Sequence, residues 1–305
     1  SLSLNYYTIY KQSFENQRDI IISLIYLCGR CEFEDSIIQT AAKIELTSFA
    51  ENVISSNSNN SNNFDKTVII RDLLGNHFSS VLQKIILSPP LQWTNESPHR
   101  AAFEALVKEC TRHAWINSSI VLDQIIVPLV QPKPPPEKGS LEEINASYAA
   151  IRGDVDDSVG KIDIRLSMLV LLEIMLRNGS LDWECGKYFA QNCEMLLEKA
   201  LLPNLVWRAG KVEGVIRKVS LTATHGLLKA GGVPPQALFR SAPHLVPLLA
   251  SDLDDSDVSS RHLGSLCLDI IFERLQGAFG EQAIHDIYPK LLKRLDDSED
   301  TIRVS

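Results

Sequence analysis

Apolar residues in the C-terminal third of the chain recur every three or four positions. Over 280–295 they are Ile284, Ile287, Tyr288, Leu291, Leu292 and Leu295. That is the i, i+3, i+4, i+7, i+8 spacing of one helix face. Over 257–275 they are Val258, Leu263, Leu266, Cys267, Ile270, Ile271 and Leu275, the same stripe. The second stripe opens after Asp254-Asp255-Ser256-Asp257. Asp and Ser there suit a helix start, because their oxygens accept free N–H groups and their charge complements the helix dipole. No alternating two-residue pattern is long enough for a strand. The chain therefore reads as all-α, with roughly five to seven helix pairs.

These helices repeat. Pro203, Pro247 and Pro289 each stand fourteen residues before an arginine, Arg217, Arg261 and Arg303, so prolines and arginines share spacings of 44 and 42. The words match as well: PLLASDLDDSDVSSR (Pro247–Arg261) aligns with PKLLKRLDDSEDTIR (Pro289–Arg303). A period of about 40–47 residues with two helices per unit is the mark of HEAT or armadillo arrays, an α-solenoid. The recurring proline predicts a kink in each first helix, since it lacks the N–H and crowds the preceding turn. The recurring arginine falls at the start of each second helix. It is placed to meet an acidic loop residue of its own or an adjacent repeat, forming a ladder that fixes the stacking angle.

Upstream the pattern is looser. Asp163–Leu176, Ser97–Cys110 and Asn16–Cys28 resemble second helices, with Arg165, Arg100 and Arg18 in the ladder position. Ile116–Val130 and Trp183–Leu202 read as first helices, while Phe33–Ile54 and Lys66–Leu87 read as helices of unassigned position. Residues 1–130 are thus expected to form N-terminal helix pairs, interrupted by a polar, disordered loop at 55–63 (SSNSNNSNN). Residues 131–160 form a Pro-rich then acidic insertion, opening with QPKPPPE, which its prolines bar from helix. Residues 161–305 hold the regular repeats, and the whole is expected to be one continuous solenoid. The chain starts without Met and stops at Ser305 about one turn into what reads as a new helix. A fragment of a longer protein is the expectation.

Composition narrows the function. Thirty Lys and Arg against 38 Asp and Glu give a net charge of −8, which disfavours non-specific nucleic-acid binding. No apolar run approaches the ~20 residues of a membrane span. Six cysteines in 305 residues are too few for a disulfide scaffold and favour a reducing, cytosolic setting.

Candidate chemistry is thin. Cys28-x-x-Cys31 with Cys110-x-x-His113 offers four zinc ligands on paper, but neither pair has the second short loop or the strand context such sites use. Asp252-x-Asp254-x-Ser256 and Asp154-x-Asp156-x-Ser158 open like calcium loops. Both lack the sixth-position Gly and the twelfth-position Glu. Gly231-Gly232 precedes Val-Pro-Pro and reads as a helix stop and restart, not a phosphate cradle. No catalytic, cofactor or metal site is assigned, and an enzyme is not expected. The four tryptophans, Trp93, Trp115, Trp183 and Trp207, are expected to be buried between repeats.

LLPNLVWRAGKVEGVIRKVSL (Leu201–Leu221), followed by IYPKLLKRLDDSEDTIR (Ile287–Arg303), resembles the C-terminal half of the HEAT-repeat dynein axonemal assembly factors. QWTNESPHRAAFEALV (Gln92–Val107) adds weaker support. The resemblance implies a non-catalytic cytoplasmic scaffold for preassembly of outer and inner dynein arms of motile cilia. The partners it implies are axonemal dynein chains, chaperones and other assembly factors, with no cofactor. The alternative keeps the array and changes the client to a transport cargo, a phosphatase or tubulin. The acidic balance suggests basic partner segments, with Asp254, Asp255 and Asp257 as contacts whose reversal weakens binding without unfolding the chain.

Overall fold

The computed structural model describes Arg71, residues 74–132, 157–276 and 281–297, Glu299 and Ile302. Arg18, Cys28, Cys31, Asp154, Asp156 and Arg303 lie outside the described residues, as do 1–70 and 133–156. Those two stretches include the Asn-rich loop and most of the Pro-rich insertion. Among the described residues there is helix and turn but no strand. They fall into two compact units that divide between Asn117 and Ser118.

The first unit holds α1 (Phe78–Ile85), α2 (Pro98–Glu109) and α3 (Thr111–Ile116). α1 buries Phe78, Val81, Leu82 and Ile85, spaced as one helix face, against α2, which buries Ala102, Phe103, Leu106 and Val107. Trp93 is buried beside Phe103, ring centres 5.6 Å apart, and its indole N–H donates to the Ser88 carbonyl at 3.1 Å. The His113 ring packs so closely on Gly75 that a Cβ there would lie 2.5 Å from its Cε1, so a side chain at this position would have to displace the ring.

The second unit begins with a helical run of Ser118–Ile120, Val121–Ile126 and Val127–Val130 (together α4). It continues with α5 (Asp157–Gly179) and a run of Gly186–Met195, Leu196–Leu201 and Leu202–Leu205 (together α6). Then come α7 (Lys211–Lys229), α8 (Pro235–Asp252), α9 (Val258–Leu275) and α10 (Glu281–Arg294). These helices stack in two layers. α5 packs on α7 and α7 on α9, while α4, α6, α8 and α10 pack successively on one another beside them. Every second helix thus shares a layer, the arrangement that lets each amphipathic stripe be buried by its neighbours.

Proline leaves its trace in the first helices. In α4 and α6 a π-type segment, Val121–Ile126 and Leu196–Leu201, comes just before Pro128 and Pro203. A proline cannot donate to the carbonyl four residues back and crowds it; a wider turn upstream relieves the clash. Pro247 and Pro289 sit inside α8 and α10.

Helix ends follow the sequence closely. α7 stops at Gly231, φ +71°, with Gly231 N–H donating to Leu228 at 3.1 Å and Gly232 N–H to Leu227 at 3.3 Å. This is the left-handed double-bonded cap that glycine permits. From α9, Arg274 Nη2 adds a bond to the Leu228 carbonyl at 2.7 Å. Asp257 caps α9, its carboxylate accepting from the Ser260 N–H at 2.9 Å.

Candidate protein-interaction site

The recurring arginines form a ladder. Arg165 on α5 donates from Nε to Asn204 Oδ1 at 2.6 Å and from Nη1 to Glu213 at 3.1 Å. Arg217 on α7 bonds Asp255 and approaches Asp252 Oδ1 at 3.4 Å. Arg261 on α9 forks onto Asp297, with both bonds at 2.9 Å. Each arginine therefore reaches forward to the end of the next first helix or the start of its partner. The acceptor belongs to the adjacent repeat, one of the two options the spacing allowed. Arg100, assigned to the same place by pattern, bonds Glu104 on its own helix at 2.8 Å and the Asn95 carbonyl at 2.7 Å.

Three ladder partners escaped the sequence reading. Asn204 is buried and ties three strands of chain together, donating to the Val130 carbonyl at 3.0 Å and to the Ala200 carbonyl as well as accepting from Arg165. Glu213 and Asp252 are the others. A signal was present, since Asn204 directly follows the repeat proline, but a single Asn in a helix carries no charge pattern to flag it.

Burial and charge divide these acids. Asp252 is buried at the end of α8, and desolvation pushes its carboxyl up to about 7; Arg217 opposes this and Asp255 adds to it. Burial would raise Asp257 as well, but hydrogen bonds from Lys218 and Ser260 outweigh it and hold the carboxyl below its ordinary value. Asp297 is held well below the usual range by its bonds with Arg261.

This geometry corrects one expectation. Asp255 and Asp257 are not free to meet a partner: Asp255 is the acceptor for Arg217 and Asp257 is the cap of α9. Reversing their charge breaks the stack and the cap, so loss of binding there would report unfolding. Asp254 bonds Lys293 at 2.8 Å and lies 3.6 Å from Arg294.

The tryptophan expectation holds for two residues and fails for a third. Trp93 and Trp115 are buried; Trp207 is 65% exposed. Trp183's side chain is outside the described residues. Trp207 stands on the turn between α6 and α7, with Val206, Val212 and Val215 also exposed. The turn reverses at Gly210, φ +120°, a conformation other residues adopt only with strain. Trp207, Arg208, Lys211 and Gly214 line one wall of a cleft of about 590 Å³. Asp255, Ser256 and Asp257 line the opposite wall. Arg208 donates to the Pro203 carbonyl at 3.0 Å, and Lys218 pairs with Asp257 at 3.2 Å. The cleft combines an open aromatic, the exposed Val215, four cations (Arg208, Lys211, Arg217 and Lys218) and two carboxylates.

The other candidate residues stay dispersed. Cys110 is buried and its thiol points to the Arg71 carbonyl at 3.7 Å, while His113 stacks on Phe78 at 6.2 Å. Cys110, Cys185, Cys193 and Cys267 are buried. Among the described residues, no three His, Cys, Asp or Glu stand where a metal ion could be held. No described helix is long and apolar enough to cross a membrane.

Among the described residues the arrangement is one of stacked helices without strands. Dynein axonemal assembly factor 5 from three vertebrates is similar to this chain. The Xenopus laevis protein is 25% identical over 142 residues, 47% of this chain and 17% of the relative. The Mus musculus protein is 22% identical over 191 residues, 63% of this chain and 22% of the relative. The Homo sapiens protein is 21% identical over 287 residues, 94% of this chain and 28% of the relative. The chain spans less than a third of the length of these relatives. No family model and no solved structure matches it.

Proposed function

We propose that this chain is part of a non-catalytic HEAT-type α-solenoid that serves as a scaffold in the cytoplasmic preassembly of axonemal dynein arms. The observation that carries the reading is its similarity to three relatives that share one name, dynein axonemal assembly factor 5, the longest alignment covering 94% of the chain. Support comes from the 44- and 42-residue repeat of proline and arginine, matched by two layers of stacked helices and forward-reaching rungs. Stacked helix pairs present long surfaces to large, irregular clients without enclosing a reactive pocket. On this reading residues 1–130 and 161–305 are parts of one array, with 131–160 as an insertion. The clients are axonemal dynein chains, met together with chaperones and other assembly factors.

The test is affinity purification from cytosol of cells building motile cilia, followed by mass spectrometry. Dynein heavy or intermediate chains with chaperones are the expected catch. Tubulin, transport cargo or a phosphatase subunit, without dynein, would overturn the function and leave the helical stack intact.

A further inference from the structure

We propose that the Trp207 cleft is a docking site for an acidic peptide segment of a protein partner, one apolar side chain of which covers the indole. The inference rests on the reading of the chain as a scaffold that holds other proteins, and it adds where and by what chemistry. Trp207 is the one tryptophan found exposed among the described side chains, and it stands beside exposed Val206, Val212 and Val215. A rigid aromatic with aliphatic neighbours is the usual centre of a peptide-binding surface, because covering it removes much apolar area at little entropic cost.

Charge selects the partner. The chain carries −8 overall, yet Arg208 and Lys211 line this cleft beside Trp207, on one turn and the start of one helix. Lys211 is exposed and meets no carboxylate among the described residues. Asp255 and Asp257 on the far wall set the direction, so the acidic residues of the segment lie toward Arg208 and Lys211. Those two carboxylates also weigh against a nucleic acid, which needs an uninterrupted basic track for its phosphates.

Gly214 completes the surface. It sits in the second turn of α7, where glycine costs about 1 kcal/mol against alanine. A Cβ there would meet nothing within 4 Å. No packing among the described residues requires the glycine, and its bare face leaves room for a partner's backbone along α7.

The experiment measures fluorescence anisotropy on the 305-residue chain. The probe is a fluorescein-labelled dodecapeptide, Leu-Phe flanked by glutamates and aspartates. The same peptide with lysines for its acids, and a labelled oligo-dT, serve as controls. The acidic probe should bind, and more weakly as salt rises. Trp207→Ala, Lys211→Glu and Gly214→Phe should each weaken binding at least about tenfold. Their melting curves should match the unsubstituted chain, since the first two residues are exposed and the third projects into open space. Equal binding by Trp207→Ala, tighter binding of the basic peptide or the oligonucleotide, or no binding by the unsubstituted chain would overturn the proposal. The readout uses no dynein: a failed dynein purification beside intact probe binding removes the function alone, and the converse removes the cleft alone.

Discussion

Arg217 and Arg261 hold the same place one helix pair apart, and the molecule treats them differently. Arg261 forks evenly onto Asp297, which also accepts from Arg294 at 2.7 Å and from the Glu299 N–H at 3.2 Å. Arg217 faces two carboxylates, Asp255 and Asp252, and the match is incomplete. Asp252 Oδ2 has no donor and Arg217 Nη1 has no acceptor, both buried. The repeated arginine thus fixes where a rung forms but not how well it is satisfied. The difference comes from Asp252, a buried acid at the end of α8 for which the Arg261 rung shows Arg294, a second cation, in place of a second anion.

The largest expected effect comes from removing the shared cation. Arg217→Leu strands Asp252 and Asp255 in a buried site, a loss on the order of 3–5 kcal/mol. Urea unfolding should show it, and Arg261→Leu should shift the midpoint less, because Asp297 keeps Arg294. A larger loss at Arg261 would reverse the ranking of the two rungs.

Next comes the pH dependence. Burial raises Asp252 from 3.8 to about 7 in the folded chain. The folded state therefore holds a proton that the unfolded state gives up. The resulting stability is full below about 4 and lost as pH rises through about 7. Asp252→Asn should flatten that decline and stabilise the chain by about 1–3 kcal/mol at pH 8. Melting curves at pH 5 and pH 8 check it; an unchanged slope would remove the buried acid from the account.

Two smaller effects sharpen the loop between the rungs. Asp257→Ala removes the α9 cap and should cost about 1 kcal/mol. Asp254→Ala, three residues away, breaks an exposed pair with Lys293 and a longer contact with Arg294 at 3.6 Å, and should stay within about 0.5 kcal/mol. Thermal melts of the two variants side by side separate cap from surface charge.

The residues legible in sequence were those whose role depends on near neighbours. Gly231-Gly232 showed a helix stop, and Asp257 showed a cap, because each acts within five residues of itself. The arginine register was legible because it recurs. Asn204 and Asp252 were not, since their partners lie 39 and 35 positions away and only stacking brings them together. Nor was the π-type segment before Pro203: proline predicts a disturbed turn without saying which way the helix yields. Trp207 was misread for a related reason. An apolar ring beside an apolar helix looks buried until the turn at Gly210 carries it outward.

The ladder also bears on how the molecule meets force. Among the described residues each rung ties one helix pair to the next, so tension along the second unit is met rung by rung. In an optical trap the second unit should yield as a sawtooth, pair after pair. The Arg217 junction, with its mismatched carboxylates, should be the weakest link in the sequence of rips, and its rupture force should fall as pH rises past 7.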